Sequence, residues 1–412
     1  MNVSIIAVGT ELLFGQTINT NAAYLSERMN LMGFNIMYHF VVGDNPGRLK
    51  MTLEEAFSKS DIAVITGGLG PTQDDLTKET VAEFMGASLL RNDRVLEELE
   101  SFFKRYDLPM SENNRKQAYL PEGCVTFYNE AGTAPGFALE RDGRVAICLP
   151  GPPREMTWLF ENGVKQYLER FLDREMFYRV IRTIGIGESD LETLLLPLID
   201  GQTDPTIATY AKEGECSIRV ASQRDSLDDA RAAVDEMTKR VCELCGDFVY
   251  STDDAELKEV VVELLKEKGL TIASAESCTG GKFAAAITDV AGSSKVYGAG
   301  YVTYSIDAKV NELGVDRALI AKDGVVSSSV AEQMAIRARE KAGSDIAISI
   351  TGYAGPDADE GFSAGDAFIG YACADKSGFV EMHRNRRSRK WNRDGFTLAM
   401  LRVAYLLLNG RL

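Results

Sequence analysis

Short apolar, β-branched runs alternate along residues 1–168 with segments whose apolar residues recur every three or four positions. The runs at 3–8, 34–42 and 61–66 predict buried strands, and the segments between them predict helices. This alternation predicts an α/β fold, a mostly parallel sheet between two layers of helices. Ligands of such sheets lie beyond the carboxyl ends of the strands.

Four loops follow predicted strands and should therefore converge on one edge of that sheet. They are the segments 9–15, 43–45, 67–75 and 149–155.

The pattern changes after this first region. Residues 173–250 follow the order strand, helix, two strands, helix, which predicts a small α/β module. A further set of strands and helices from residue 254 onward predicts another α/β domain. The length of 412 residues is too great for one ordinary core. We therefore expect three domains, at 1–168, 173–250 and 254–412.

A glycine-rich loop follows the third strand, and its glycines are Gly67, Gly68 and Gly70. Without Cβ atoms, backbone N–H groups can converge on an anion. Asp74 and Asp75 follow, just before a helical pattern. A phosphate-sized hollow beside two carboxylates predicts a site for a metal and a phosphorylated ligand. The alternative is a plain strand–turn–helix connection, with an aspartate as helix N-cap.

A serine and a lysine are the candidate reactive groups of the last domain. Ser277 lies where a strand gives way to a helix, so its hydroxyl can be a nucleophile near a helix N-terminus. Lys309 is the candidate base, which requires burial or cationic neighbours to lower its pKa. Serine–lysine pairs carry out acyl and amide hydrolysis in other folds. The alternative is that Ser277 only caps a helix and Lys309 is solvated.

Charge and cysteine content narrow the class of protein. The formal net charge of −16 argues against nonspecific duplex binding, which depends on Lys and Arg neutralising phosphates. The sequence shows neither a signal-like N-terminus nor a run of about 18 apolar residues, so we expect a cytoplasmic protein that does not span a membrane. The seven scattered cysteines fit a reducing compartment.

One dense basic run stands out in this acidic chain, at residues 384–390 with Arg393 nearby. Such a run can hold a ligand phosphate. The alternative is a solvated edge strand, whose charges discourage edge-to-edge pairing.

The motifs together resemble those of one known family, the competence/damage-inducible CinA family. Four motifs of this chain resemble the family's molybdopterin-binding-like domain (MoaB/MogA-like). They are GTELL at 9–13, VGDN at 42–45, TGGLGPTQDDLT at 66–77 and LPGPPREM at 149–156. Four further motifs resemble the family's C-terminal amidohydrolase domain. They are AESCTGG at 275–281, GSS at 292–294, YVTYS at 301–305 and TGYAGP at 351–356. The middle module resembles the KH-like insert of such chains.

The resemblance implies two hydrolytic activities that recycle pyridine nucleotides. The N-terminal domain resembles a metal-dependent ADP-ribose pyrophosphatase, which forms AMP and ribose 5-phosphate. The C-terminal domain resembles a nicotinamide mononucleotide deamidase, which releases ammonia and forms nicotinic acid mononucleotide. The KH-like module argues for a homodimer, and the acidity of the chain argues against direct nucleic-acid binding.

Resemblance and residue chemistry together assign roles to individual side chains. We expect Ser277 to attack, Lys309 to take its proton, Tyr304 to tune the lysine, and Asp75 to act in the N-terminal reaction. The N–H groups near Thr279 and Gly280 should stabilise an oxyanion. The expected substrate-binding residues are Asn21, Gly67, Gly68, Gly70, Thr72, Thr279, Gly280, Ser294, Thr351 and Arg393.

The expected metal is divalent (Mg, Mn or Co), with K⁺ as an additional candidate ion, and no cofactor is expected in the C-terminal domain. The candidate ligands are carboxylates, the groups that such hard cations favour. They are Glu11, Asp44, Asp74, Asp75 and Glu155.

The sequence departs from the family pattern at 357–366 and 390–396, where Phe396 stands in place of an expected arginine. Both segments are expected to touch the nucleotide. One alternative is therefore a single-activity pyrophosphatase with a degenerate deamidase domain. The others are a module that binds a nucleotide or pterin without cleaving it, and an interaction protein of DNA uptake or repair.

Overall fold

The computed structural model describes residues 1–172, 175–212, 214–359, 361–384 and 388–412. Its contacts divide the chain into two compact units, Met1–Met176 with Gln223–Ala230 and Phe177–Ser222 with Arg231–Leu412. Asp173, where the middle domain was expected to begin, lies outside the described residues. The division into three domains stays a prediction.

The first unit is built around a six-stranded sheet and a separate pair of short strands. The strands are β1 (Asn2–Val8), β2 (Asn35–Val42), β3 (Ile62–Thr66), β4 (Leu89–Arg91), β5 (Tyr119–Pro121), β6 (Val125–Phe127), β7 (Gly136–Arg141) and β8 (Arg144–Leu149). The sheet order is β2-β1-β3-β8-β7-β6. Its first four strands are parallel, and β7 and β6 are antiparallel. The predicted mostly parallel α/β sheet is confirmed.

Helices cover both faces of this sheet. They are α1 (Thr10–Leu13), α2 (Thr20–Met32), α3 (Pro46–Phe57), α4 (Thr77–Phe84), α5 (Asp93–Arg105), α6 (Glu112–Arg115), α7 (Pro153–Leu159) and α8 (Lys165–Glu169). Neighbouring residues of β1 point to opposite cores, because Ile6 packs with Leu53 of α3 and Ile5 packs with Leu25 of α2. The short helix α1 corrects the expectation that residues 10–15 are only a loop.

The middle module, residues 175–251, contains one four-stranded sheet and two helices. Its elements are β9 (Glu175–Ile184), α9 (Glu188–Ile199), β10 (Thr206–Lys212), β11 (Glu215–Arg224), α10 (Leu227–Cys245) and β12 (Val249–Ser251). The sheet order is β10-β11-β9-β12. Strand β12 was not predicted, because three residues are too few to show an alternating pattern. The predicted hairpin between β10 and β11 is confirmed, although Glu213 of its turn lies outside the described residues.

The C-terminal region carries a five-stranded sheet. Its elements are α11 (Leu257–Lys268), β13 (Ile272–Glu276), α12 (Lys282–Thr288), β14 (Tyr297–Val302), α13 (Ile306–Asn311), α14 (Arg317–Asp323), α15 (Ser328–Ala342), β15 (Ile346–Gly352), β16 (Asp366–Ala372), β17 (Ser377–His383) and α16 (Arg389–Leu408). The order is β14-β13-β15-β16-β17, with the first three strands parallel. Their carboxyl ends share one edge, where Ser277 follows β13 and α13 follows β14.

The described part of the chain contains no helix that is both long and apolar enough to cross a membrane.

Candidate active sites

Ser277 and Lys309 meet at the carboxyl edge of the C-terminal sheet. The Nζ atom of Lys309 lies 3.0 Å from Oγ of Ser277 and 2.7 Å from the carbonyl oxygen of Thr303. Lys309 is completely buried, and Ser277 is 9% exposed. The residue that precedes α12 as its N-cap is Gly281, not Ser277. The interpretation of Ser277 as a helix cap and Lys309 as a solvated lysine is therefore wrong.

The protonation state of Lys309 follows from its burial. Loss of solvent disfavours the ammonium form and lowers the pKa of Lys309 to about 8. At pH 7 about one tenth of these side chains are thus uncharged amines, far more than for an exposed lysine. An uncharged amine beside a hydroxyl can accept its proton, which is the chemistry expected of a serine–lysine pair.

The amides at the start of α12 are already occupied. The Glu276 carboxylate is 1% exposed and accepts hydrogen bonds from the N–H groups of Gly281 (2.9 Å), Phe283 (3.1 Å) and Ala284 (2.9 Å). The N–H of Gly280 donates to the carbonyl of Ser277. These four N–H groups already have acceptors within the protein and therefore do not support the expected oxyanion role, which stays a prediction for the amide of Thr279.

Glu276 was missed in the sequence, although a carboxylate that ends an apolar strand is an unusual feature and could have signalled it. Thr279 lies in the same turn and is fully buried. Its hydroxyl has no hydrogen-bond partner among the residues that the structure describes, so it stays a candidate for contact with a ligand.

Tyr304 lies beside the pair without contacting the lysine. Its side chain is 61% exposed, and its hydroxyl accepts a hydrogen bond from Nη2 of Arg389 at 3.0 Å. Within the described residues Tyr304 has no hydrogen bond to Lys309. Burial, rather than Tyr304, therefore accounts for the lowered pKa of the lysine.

Arg393 contacts the backbone of the serine turn. Its Nε donates to the carbonyl of Cys278 at 3.1 Å, and its Nη2 donates to the carbonyl of Thr279 at 2.6 Å. These contacts fasten α16 to the residues that follow Ser277. The expectation that Arg393 binds substrate has no contact of this kind to support it and stays a prediction.

The remaining predicted residues of this domain do not share one edge of the sheet. Thr351 lies at the carboxyl end of β15, on the same edge as Ser277, whereas Ser294 precedes the amino end of β14 and lies at the opposite edge. Thr351 is buried, and its hydroxyl donates to the carbonyl of Val325 at 2.9 Å. Ser294 is exposed in a short 3₁₀ turn, Ser293–Lys295. Phe396 is fully buried in the apolar core beneath α16. Its side chain is therefore not available for the expected contact with a nucleotide.

Part of the divergent segment 357–366 and part of the basic run lie outside the described residues. These parts are Glu360 and residues 385–387 of the basic run. Arg384 packs its guanidinium 5.0 Å from the ring centre of Trp391 and against Gly395 of the same helix. A Cβ on residue 395 would overlap that guanidinium, so a larger residue there would require the long side chain of Arg384 to move.

In the N-terminal domain, hydrogen bonds join the predicted loops in pairs. Thr10 donates from its N–H (2.9 Å) and its hydroxyl (2.7 Å) to Asp44. Asn21 donates to the hydroxyl of Thr66 at 2.9 Å and to the carbonyl of Gly151 at 2.8 Å. The other side-chain atom of Asn21, Oδ1, is buried with no partner among the described residues. The expected convergence of the four loops on one edge is confirmed.

The glycines of the third loop lie in close contact with a neighbouring strand and with side chains of the same segment. Gly67 has φ +105° and Gly68 has φ +70°, values that L side chains rarely adopt. A Cβ on Gly67 would lie 2.1 Å from the carbonyl oxygen of Val8, and one on Gly70 would lie 2.5 Å from the Asp75 carboxylate. These contacts fit the turn interpretation, and the phosphate cradle stays a prediction.

Asp75 and Lys116 close the end of this loop. Asp75 Oδ2 accepts from the N–H (2.9 Å) and hydroxyl (2.6 Å) of Thr72. Lys116 Nζ donates to the carbonyls of Thr72, at 3.1 Å, and Asp75. Buried Lys78, whose pKa burial lowers to about 8, donates to the carbonyl of Lys116 at 2.6 Å. No local pattern points to Lys116, because its contacts join segments that are distant along the chain.

The five candidate metal ligands do not form one cluster. The described residues contain no group of three or more His, Cys, Asp or Glu side chains that could hold a metal ion. Glu155 instead accepts a 2.6 Å hydrogen bond from Asn129, and the Glu11 carboxylate lies against Gly9. A five-carboxylate centre therefore does not fit, because these acids do not lie together, and Glu155 and Asp44 accept hydrogen bonds from other segments of the chain.

Two of the acids do share a site. Asp44 and Asp74 line one small hollow together with Thr77, whose buried hydroxyl has no partner among the described residues. Magnesium is commonly held by one or two carboxylates and by the phosphates of its substrate. This pair fits a metal that binds together with a phosphorylated ligand.

Comparisons with known proteins match the whole length of the chain. Family models match residues 4–170 (probable molybdopterin binding domain), 178–251 (damage-inducible protein CinA KH domain) and 254–408 (CinA C-terminal domain). A putative competence-damage inducible protein of Caldicellulosiruptor saccharolyticus is 47% identical to this chain. The match covers 90% of this chain and 91% of the relative's length. The chain belongs to the CinA family.

Other relatives extend the same match. A putative competence-damage inducible protein of Bacillus cereus is 44% identical over 91% of this chain and 92% of its own. A CinA-like protein of Dictyoglomus turgidum is 46% identical over 87% of each chain. The expected family and the α/β fold class, with its molybdopterin-binding, KH and CinA C-terminal regions, are confirmed.

Proposed function

We propose that the C-terminal domain of this CinA protein is an amidohydrolase that converts nicotinamide mononucleotide to nicotinic acid mononucleotide and ammonia. The observation that carries the proposal is the 3.0 Å separation of Lys309 Nζ from Ser277 Oγ, with the lysine completely buried. A nucleophile within hydrogen-bond reach of a base whose pKa burial lowers to about 8 is the arrangement that serine–lysine hydrolysis needs.

The reaction follows from this pair. The uncharged amine of Lys309 takes the proton of the Ser277 hydroxyl as Oγ attacks the carboxamide carbon. The resulting ammonium then gives its proton to the leaving nitrogen, and ammonia departs from an acyl-serine. Lys309, again uncharged, takes a proton from water, whose oxygen attacks the acyl carbon. The carboxylic acid product leaves as the proton returns to Ser277.

Ammonia release from nicotinamide mononucleotide by the purified chain tests this proposal. A Ser277→Ala variant should lose activity about 10²-fold or more, since it removes the bond-forming atom. Thr288→Ala, an exposed hydroxyl on α12, is the matched control and should keep the wild-type rate. If Ser277→Ala turned over at the wild-type rate, the serine mechanism would be refuted. If the wild-type protein released no ammonia, the assignment of nicotinamide mononucleotide as the substrate would be refuted.

We also propose that the N-terminal domain cleaves the diphosphate of ADP-ribose to AMP and ribose 5-phosphate. The hollow shared by Asp44 and Asp74, at the edge where four loops converge, supports this second activity. These two acids would hold a divalent metal, Mg, Mn or Co, which when bound offsets phosphate charge and activates water. The Lys116 contacts order the loop that carries Asp74.

ADP-ribose hydrolysis with each metal, and with and without K⁺, tests the second proposal. Asp74→Asn should lower turnover and weaken its dependence on metal, whereas Glu97→Gln on the exposed side of α5 should change neither. Tight ADP-ribose binding without product would instead favour a binding module. Undiminished metal-stimulated turnover by Asp74→Asn would rule out this pair of acids.

A further inference from the structure

The turn that carries the nucleophile is unusually rich in glycine. We define the serine turn as residues 277–281, in which Gly280 has φ +60° and Gly281 has φ +94°. Glycine loses more conformational freedom on ordering than any other residue. A turn of this composition needs support from its surroundings if Ser277 is to stay within 3.0 Å of Lys309.

A carboxylate supports the turn through its N–H groups. Glu276, completely buried directly before Ser277, accepts hydrogen bonds from the N–H groups of Gly281, Phe283 and Ala284. One side chain thus holds the end of the serine turn and the first turn of α12. Charge-assisted hydrogen bonds of this kind are about twice as strong as neutral ones.

A guanidinium supports the same turn through its carbonyl groups. Arg393 of α16 donates from two different nitrogens to the carbonyls of Cys278 and Thr279. The rigid fork of an arginine suits two neighbouring oxygens, whereas a lysine offers a single charged point. The next residue, Asp394, forms an ion pair with Lys282 at the start of α12. Consecutive residues of α16 therefore contact the serine turn and the first residue of the helix that follows it.

We infer that Glu276 and Arg393 are positioning residues, which fix the serine turn by its N–H and carbonyl groups and so hold Ser277 against Lys309. This inference rests on the proposed amidohydrolase function. It assigns Arg393 to the protein backbone and not to the phosphate of the substrate. A displacement of about 1 Å in a reacting group can cost about 10²-fold in rate, so loss of either residue should lower kcat.

Arg393→Ala is the direct test, with two substrates that differ only in the 5′-phosphate. The substrates are nicotinamide mononucleotide and its nucleoside, nicotinamide riboside. A positioning role predicts a kcat about 10²-fold lower on both, a nearly unchanged KM, and an unchanged preference for the nucleotide. Arg393→Lys should recover only part of the loss. Arg402→Ala, at an exposed arginine of the same helix outside both divergent segments, should keep wild-type values.

Hydrogen exchange provides a readout that does not depend on activity. In Arg393→Ala, peptides covering residues 278–284 should exchange about tenfold faster or more, because the turn opens more often. The same peptides in Arg402→Ala should exchange at the wild-type rate. Should the wild type release no ammonia, the proposed function fails, and the exchange rates alone decide whether Arg393 supports the turn.

The opposite pattern would overturn the inference. If Arg393→Ala raises KM for the nucleotide only, loses the preference for the nucleotide, and leaves exchange of 278–284 unchanged, Arg393 binds the phosphate. Glu276→Gln is the second variant and should accelerate exchange of 281–284, because an amide cannot accept from all three N–H groups as the carboxylate does. Unchanged exchange in Glu276→Gln would also contradict the inference.

Discussion

At the scale of single residues, the C-terminal site depends on the burial of one lysine. Removing Lys309 from water disfavours its charged form, and this sets its pKa near 8. The sequence shows that residue 309 is a lysine and predicts a helix there, but it does not show whether the side chain is exposed. Lys309 is completely buried, and its Nζ contacts Ser277, which follows β13, and the carbonyl of Thr303, which follows β14; no local pattern encodes these contacts.

Lys309→Met should remove the base and keep much of the side-chain volume. We expect ammonia release to fall about 10²- to 10⁴-fold, the usual contribution of general-base catalysis. Thermal stability should stay equal or rise, because a buried charged group is replaced by an apolar one. Lys322→Met, at an exposed lysine of α14, is the matched control for both measurements. Near-normal turnover by Lys309→Met would remove the lysine from the mechanism.

At the scale of elements, the end of β3 depends on a backbone approach that only glycine permits. Gly67→Ala would place a Cβ 2.1 Å from the carbonyl oxygen of Val8 and would also require φ +105°. Gly143 has a positive φ too, +73°, but open space around its Cβ position. The two glycines therefore separate backbone strain from steric overlap.

Both alanine variants should lower the thermal midpoint of the N-terminal domain, and Gly67→Ala should lower it more. Strain alone costs about 1–2 kcal/mol at a left-handed position, and Gly67→Ala adds the clash with β1. Differential scanning calorimetry of the two variants and the wild type measures this order. Equal midpoints for Gly67→Ala and Gly143→Ala would contradict the close approach of β1 to the loop.

Elements were largely predictable, whereas contacts between them were not. Alternating apolar patterns located β1, β2, β3 and the C-terminal strands, because buried faces leave a period in the sequence. Lys116 donates hydrogen bonds to the carbonyls of Thr72 and Asp75, and Arg393 donates to carbonyls of the serine turn. Both sets of contacts join residues that are distant in sequence. For the same reason the set of five metal ligands was wrong. Each acid is plausible by type, but only the fold decides which acids share a hollow.

At the scale of the whole molecule, the two proposed sites lie in different compact units. We expect them to work independently in isolated assays. Asp74→Asn should leave ammonia release unchanged, and Ser277→Ala should leave ADP-ribose hydrolysis unchanged. A loss of both activities in either variant, with the fold intact by circular dichroism, would instead indicate coupling between the sites.

Charge and assembly belong to the same scale. A net charge of −16 should keep the chain from shifting duplex DNA in a mobility assay at low salt, where electrostatic binding is strongest. A salt-sensitive shift would favour the DNA-related alternative. The homodimer stays a prediction, and a measured mass of twice 45.1 kDa by light scattering would support it.

The pH dependence of ammonia release from nicotinamide mononucleotide tests the central claim most directly. Because Lys309 must be uncharged to accept the serine proton, kcat/KM should be low in acid, rise tenfold per pH unit, and level off above a midpoint near pH 8. Any residual activity of Lys309→Met should lack this rise. A flat wild-type profile between pH 6 and 10, or the same midpoint in Lys309→Met, would contradict a buried lysine base.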